Sequence, residues 1–159
     1  GYGVVRSAMR ALLDRRDRGK PLGALGPELL QAVGMSGLDN LADEIYKHPH
    51  PGRWAAYAPV VLGSNDPVST VILDETARAL GYLVDAALEK LSGPPDPPIV
   101  LAGGMTEGRL FRSGVTSFFR RTRPASAVSF LQEPPVAGAV ELARRALAGP
   151  LFGGAKRLR

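Results

Sequence analysis

The chain has 159 residues, 45% of them hydrophobic and only 6% aromatic, enough for one compact domain whose core must be filled by Ala, Leu and Val. It contains no cysteine, which excludes a disulfide framework, a zinc ribbon, a thiol nucleophile and a cysteine-held iron–sulfur cluster within this sequence, and fits a cytoplasmic protein. The net charge is +5, but the basic residues are scattered and lack interleaved aromatics, so the charge reads as overall composition and no nucleic-acid partner is expected.

No apolar run approaches the ~20 residues that span a membrane, and Gly1 to Arg10 has no signal-peptide core. The sequence opens inside a helical pattern without a start Met, so a segment of a longer chain is expected. Val5, Met9, Leu12 and Leu13 recur at helical spacing opposite Arg6, Arg10, Asp14 and Arg15, which predicts an amphipathic helix over 2–16. Gly26-Pro27-Glu28 opens a short helix that Gly34 ends. Ser36 and Asp39 resemble a capping box for a helix over 38–47, burying Leu38, Leu41, Ile45 and Tyr46. Pro49 and Pro51 break the chain after His48 and His50, and 53–62 resumes as one helix with Pro59 near its start or at a kink.

Asp66 as N-cap and Pro67 as first residue start the longest element, running to about Leu91 on Val68, Val71, Ile72, Ala79, Leu80, Leu83, Val84, Ala87 and Leu88. Gly81 within it marks close packing against a neighbour. A Pro-rich loop delivers Ile99-Val100-Leu101-Ala102, a short buried strand ended by Gly103-Gly104. A helix over 107–121, a strand over 127–131 and a helix over 136–148 on Ala137, Val140, Ala143 and Leu147 complete the domain. The Gly-rich basic tail 149–159 reads as flexible. Two strands make no stable sheet alone, so further strands from a partner or another part of the protein are expected, and an unpaired edge favours self-association.

The best candidate for chemistry is the strand–glycine pair–helix at 99–105. It places bare backbone at the C-terminal edge of a sheet, where open α/β sheets bind ligands. Its glycines lack the dinucleotide spacing, and no phosphate loop of the G-x-x-x-x-G-K-[ST] type occurs. His48 and His50 have no third ligand type nearby, so no metal site is assigned. Ser64, Ser113 and Ser117 have no nucleophile context. Asp39, Asp43 and Glu44 read as a solvated helix start, and Asp74 with Arg78 as an exposed pair. Phe111, Phe118, Phe119, Trp54 and Tyr57 read as core.

Several segments in order resemble one family. Gly1-Tyr2-Gly3 resembles the stretch after the G-D-E-G-S motif of N-acetylglucosamine kinase-like (BadF/BadG-type) proteins. Arg53 to Val61 resembles their Ala-Pro-Val helix, and Asp66-Pro67-Val68 their G-D-P-x-A helix start. Val100-Leu101-Ala102-Gly103-Gly104 resembles their adenosine motif, and Glu133 to Ala139 their P-P-x-x-G-A start of the last helix. The resemblance implies an α/β, helix-rich C-terminal lobe of the ribonuclease H-like, actin-like ATPase fold over 1–148, with a small sheet. It implies ATP and Mg²⁺ as cofactors, an amino sugar as substrate, and a homodimer. Gly103, Gly104 and Met105 would line the adenosine pocket, and Gly138 would pack closely on the last helix.

The family's D-G-G-G-T and G-T-G-S phosphate motifs, its sugar-contacting motif and its catalytic Asp do not occur in this sequence. They would lie in an N-terminal lobe before Gly1, so no catalytic residue is assigned. Two other readings stand beside the sugar kinase. One is a relative that activates a dehydratase through a cysteine-bound cluster, which the lack of cysteine argues against. The other is a non-catalytic binding or dimerisation domain.

Overall fold

The structure is a computed structural model and describes residues 1–91 and 93–148; the expected tail 149–159 lies outside the described residues. Helix α1 (Tyr2–Asp17) buries Val4, Val5, Ala8, Met9 and Leu12, one stripe at helical period. Helix α2 (Leu25–Val33) starts two residues before Pro27, which leaves Pro27 in the first turn, where its missing N–H has no intrahelical acceptor to lose.

Helix α3 is shorter than predicted, Leu41–Lys47, and the capping box does not form: Asn40 holds the N-cap position without a side-chain bond. Asp39 instead lies 3.8 Å from the Arg16 guanidinium. Tyr46 is 83% exposed, because Leu38, Leu41 and Ile45 already complete the buried stripe and the next residue points off it. The helix expected over 53–62 is two, α4 (Pro51–Ala55) and α5 (Ala58–Gly63). Pro59 explains the division: it cannot donate in a helix interior but fits the first turn of α5.

Helix α6 (Pro67–Lys90) is the predicted long element, with Asp66 capping it as expected. Its buried line is Ser69, Ile72, Leu73, Ala77 and Gly81, whereas Val71 and Leu83 of the expected face are exposed. The face was displaced because α6 has two different neighbours. Ile72 and Leu73 join a first core with α1, α2, α5, Leu38, Leu41 and Trp54. Ala77 joins a second core with Ile99, Leu101, Phe111, Val115, Phe118 and Phe119.

Strands β1 (Ile99–Leu101) and β2 (Val128–Phe130) form a two-stranded parallel sheet with Ile99 opposite Val128 and Leu101 opposite Phe130. Between them run a 3-10 turn (Gly104–Glu107) and helix α7 (Arg109–Thr122), so the helix begins two residues later than the sequence suggests. Ile99 and Leu101 face the second core, while Val100 on the opposite face is 61% exposed. The chain is thus helix-rich α/β. Helices α6 and α7 approach through small residues. A Cβ on Gly81 would stand 2.3 Å from the Phe118 ring, and one on Gly114 would stand 3.0 Å from the Ala77 methyl. The Asp85–Arg123 ion pair ties the far ends of the two helices.

Helix α8 (Pro135–Ala148) forms where expected, but its predicted apolar face is not covered, with Leu147 89% exposed. Among the described residues nothing lies within 4 Å of where a Gly138 Cβ would stand, so the expected close packing there is not seen. Among the described residues, no helix is long and apolar enough to cross a membrane.

Candidate functional site

Gly1 and three segments far apart in sequence converge beside the C-terminal end of β1. The α4–α5 elbow brings Ala55, Ala56, Ala58 and Pro59; the α5–α6 connection brings residues 62–65; the turn leading into α7 brings 102–105 and 107–110. Together they line a cleft of about 870 Å³, within the range of small-molecule sites. The cleft lies over the seam between the two cores, where Leu62 and Met105 pack against both.

The floor is glycine for a conformational reason. Gly103 has φ +106° and ψ 163°, a region that a side chain makes costly. Its carbonyl is held by two donors of one residue, the Thr106 N–H at 2.9 Å and the Thr106 hydroxyl at 2.7 Å. The Thr106 carbonyl in turn accepts from the Arg112 guanidinium, whose charge also lies 4.8 Å from the Phe130 ring centroid. Gly104 has nothing within 4 Å of its Cβ position, so its backbone faces open space in the cleft. Gly108 is a close-approach residue, because a Cβ there would stand 2.6 Å from Leu62 Cδ2.

The α5–α6 connection is held from below by Asp66, which is only 3% exposed. Its Oδ1 accepts from the Val68 N–H at 2.8 Å and its Oδ2 from the Leu25 N–H at 3.2 Å. Burial pushes the Asp66 carboxyl pKa up, but the backbone donors of Val68, Leu25 and Ala24 and the charge of Arg15 outweigh it, so the pKa is lowered. The neighbouring Ser64 hydroxyl accepts from the Asp66 N–H at 3.4 Å. Ser64 and Asn65 therefore leave a clamped backbone at the cleft edge.

The structure brings together the sequence-predicted Gly103, Gly104 and Met105, and adds the Ala-rich elbow beside Trp54. Trp54 itself is core, 2% exposed, with its indole N–H donating to the His48 carbonyl at 2.6 Å. His48 and His50 do not come to the cleft. His48 lies 3.4 Å from Glu44, and His50 Nδ1 accepts from the Gly52 N–H at 3.2 Å. Asp74 and Arg78 form the expected surface ion pair. Among the described residues, no group of three His, Asp or Glu is placed to hold a metal.

Sequence reasoning missed Asn65, Glu107 and Arg109 in the cleft wall. The available signal was positional: Asn65 precedes a helix cap, and the other two flank a glycine between a turn and a helix. No known family model matches this chain, and none of the curated proteins is significantly similar to it.

Proposed function

We propose that the cleft is the adenosine pocket of an ATP-dependent kinase acting on an amino sugar, N-acetylglucosamine or glucosamine. In this reading the chain is the C-terminal, ribonuclease H-like lobe. The observation that carries it is the cleft of about 870 Å³ at the C-terminal end of a parallel strand, floored by the Gly103–Gly104 backbone that the family resemblance had marked. Glycine without a side chain admits a flat base to the backbone. Met105, Leu110, Ala58 and Pro59 offer the apolar surface that stacks on it.

The chemistry sets what the rest of the protein must supply. Phosphoryl transfer rests on positioning and charge neutralisation around the phosphates and Mg²⁺. Among the described residues the cleft wall holds one carboxylate, Glu107, and no carboxylate cage, so Mg²⁺ would be carried mainly by the nucleotide phosphates. The phosphate motifs and the base belong to a second lobe. Closing that lobe over the cleft would exclude water and favour the sugar hydroxyl as acceptor.

Trp54 is core and lies outside the cleft lining, so binding is read by isothermal titration calorimetry. Titration with ATP, ADP and inorganic tripolyphosphate tests the pocket. A saturable change with the adenine nucleotides and none with tripolyphosphate is expected, and silence with all three refutes it. ADP release by the two-lobed protein that depends on N-acetylglucosamine or glucosamine tests the kinase half. Turnover indifferent to sugar would refute that half and leave the pocket standing.

A further inference from the structure

Among the described residues, only two side chains in the cleft wall carry a charge, Glu107 and Arg109. They stand two apart in sequence, one closing the 3-10 turn and the other opening α7. Both are exposed, and neither has an ion-pair partner among the described residues. They do not pair with each other. The glycine between them is fixed: the Gly108 N–H donates to the Met105 carbonyl at 3.3 Å, and its carbonyl accepts from the Arg112 N–H at 3.0 Å. Leu62 leaves no room for a side chain there. The two charged side chains therefore leave a backbone held in place.

Arg109 stands where folding alone disfavours a cation. The first turn of α7 carries the positive end of the helix dipole, and a basic residue there is destabilising. That turn holds no acidic residue to offset it. Its neighbour Arg112 shows how a structural arginine behaves here, bonded to the Thr106 carbonyl and placed over Phe130. Arg109 makes no such contact.

Resting on the reading of the cleft as a nucleotide pocket, we propose that these two residues set the ligand class. Glu107 accepts from the ribose hydroxyls and Arg109 binds a phosphate, so the cleft selects a ribonucleotide over a nucleoside and over a 2′-deoxynucleotide. A carboxylate offers two acceptor oxygens to a vicinal diol, and a guanidinium offers a planar donor pair to phosphate oxygens. Bonds to charged partners in a partly enclosed site change affinity by about tenfold or more.

The test is isothermal titration calorimetry of the chain and of the Glu107→Gln and Arg109→Ala variants against adenosine, ADP, ATP and 2′-deoxy-ATP. Both side chains are exposed, so far-ultraviolet circular dichroism is expected to be unchanged. Arg109→Ala is expected to weaken ADP about tenfold and leave adenosine unchanged. Glu107→Gln is expected to erase most of the preference for ATP over 2′-deoxy-ATP. ADP and ATP bound equally well by wild type and both variants would overturn this assignment and leave the nucleotide pocket standing. A wild-type chain that binds none of the four would overturn both.

Discussion

Replacing Asp66 by Ala removes one side chain that serves two elements at once. Its Oδ1 caps α6 through the Val68 N–H at 2.8 Å, and its Oδ2 holds the Leu25 N–H at 3.2 Å at the start of α2. Loss of the cap costs about 1 kcal/mol. Loss of the second, charge-assisted bond in a buried site costs about 1.5–3 kcal/mol, because the Leu25 N–H is left without a partner. Desolvation of the carboxylate already offsets part of this, so the expected loss is about 3 kcal/mol. In a domain of this size that lowers Tm by about 6–12 °C.

The pH dependence gives the argument its sign. The folded pKa of Asp66 lies below the ordinary 3.8. The stability it contributes is therefore present above 3.8 and is lost as the pH falls through the lower folded value. Urea unfolding of wild type and Asp66→Ala, followed by Trp54 fluorescence and circular dichroism, checks this. The gap between them is expected to be constant from about pH 5 to 7 and to shrink below about pH 3.8. A gap under about 0.5 kcal/mol at pH 7, or one undiminished at pH 3, would show that Asp66 does not hold both elements.

Gly81→Ala places a methyl 2.3 Å from the Phe118 ring, so it is expected to destabilise by about 1–3 kcal/mol although Ala is the better helix former. Restoration of much of that loss in the Gly81→Ala, Phe118→Leu double variant, read from urea midpoints, checks that the close approach is the cause. Gly104→Arg points a long side chain into open cleft space, so circular dichroism and Tm are expected to hold while calorimetric ATP binding is lost. A Cβ on Gly108 would stand 3.3 Å from Leu62 Cβ, close to disulfide range, in a chain with no other cysteine. The Leu62→Cys, Gly108→Cys variant is expected to crosslink on mild oxidation, read as a 2 Da mass loss that dithiothreitol reverses.

Much of the element order was legible locally. Asp66-Pro67 announces α6 because a capping carboxylate and a residue without an N–H both suit a helix start, and neither needs a distant neighbour. Pro59 announces a break for the same kind of reason, though the choice between a kink and two helices depended on how α4 and α5 pack. The capping box at Ser36 and Asp39 failed because its chemistry requires the helix to start there, and the Leu38 and Leu41 contacts start it later.

The candidate site divides along the same line. Apolar strand, glycine pair and following helix are local patterns, so the bare backbone that 99–105 puts at a strand end is legible without the fold. The close packing of Gly81 and the core places of Trp54, Phe111, Phe118 and Phe119 were legible in the same way, since their size and polarity leave few other places. Only the tertiary structure decided that α6 serves two cores and that the Ala-rich elbow faces the glycine pair. Only it placed Asn65, Glu107 and Arg109 beside them. Those relations join residues far apart in the chain, Val4 with Leu73 and Ala55 with Gly103 among them, and no periodicity or spacing encodes them. They arise when packing chooses which side of a long helix each core occupies, and the cleft is the space left where the two cores meet.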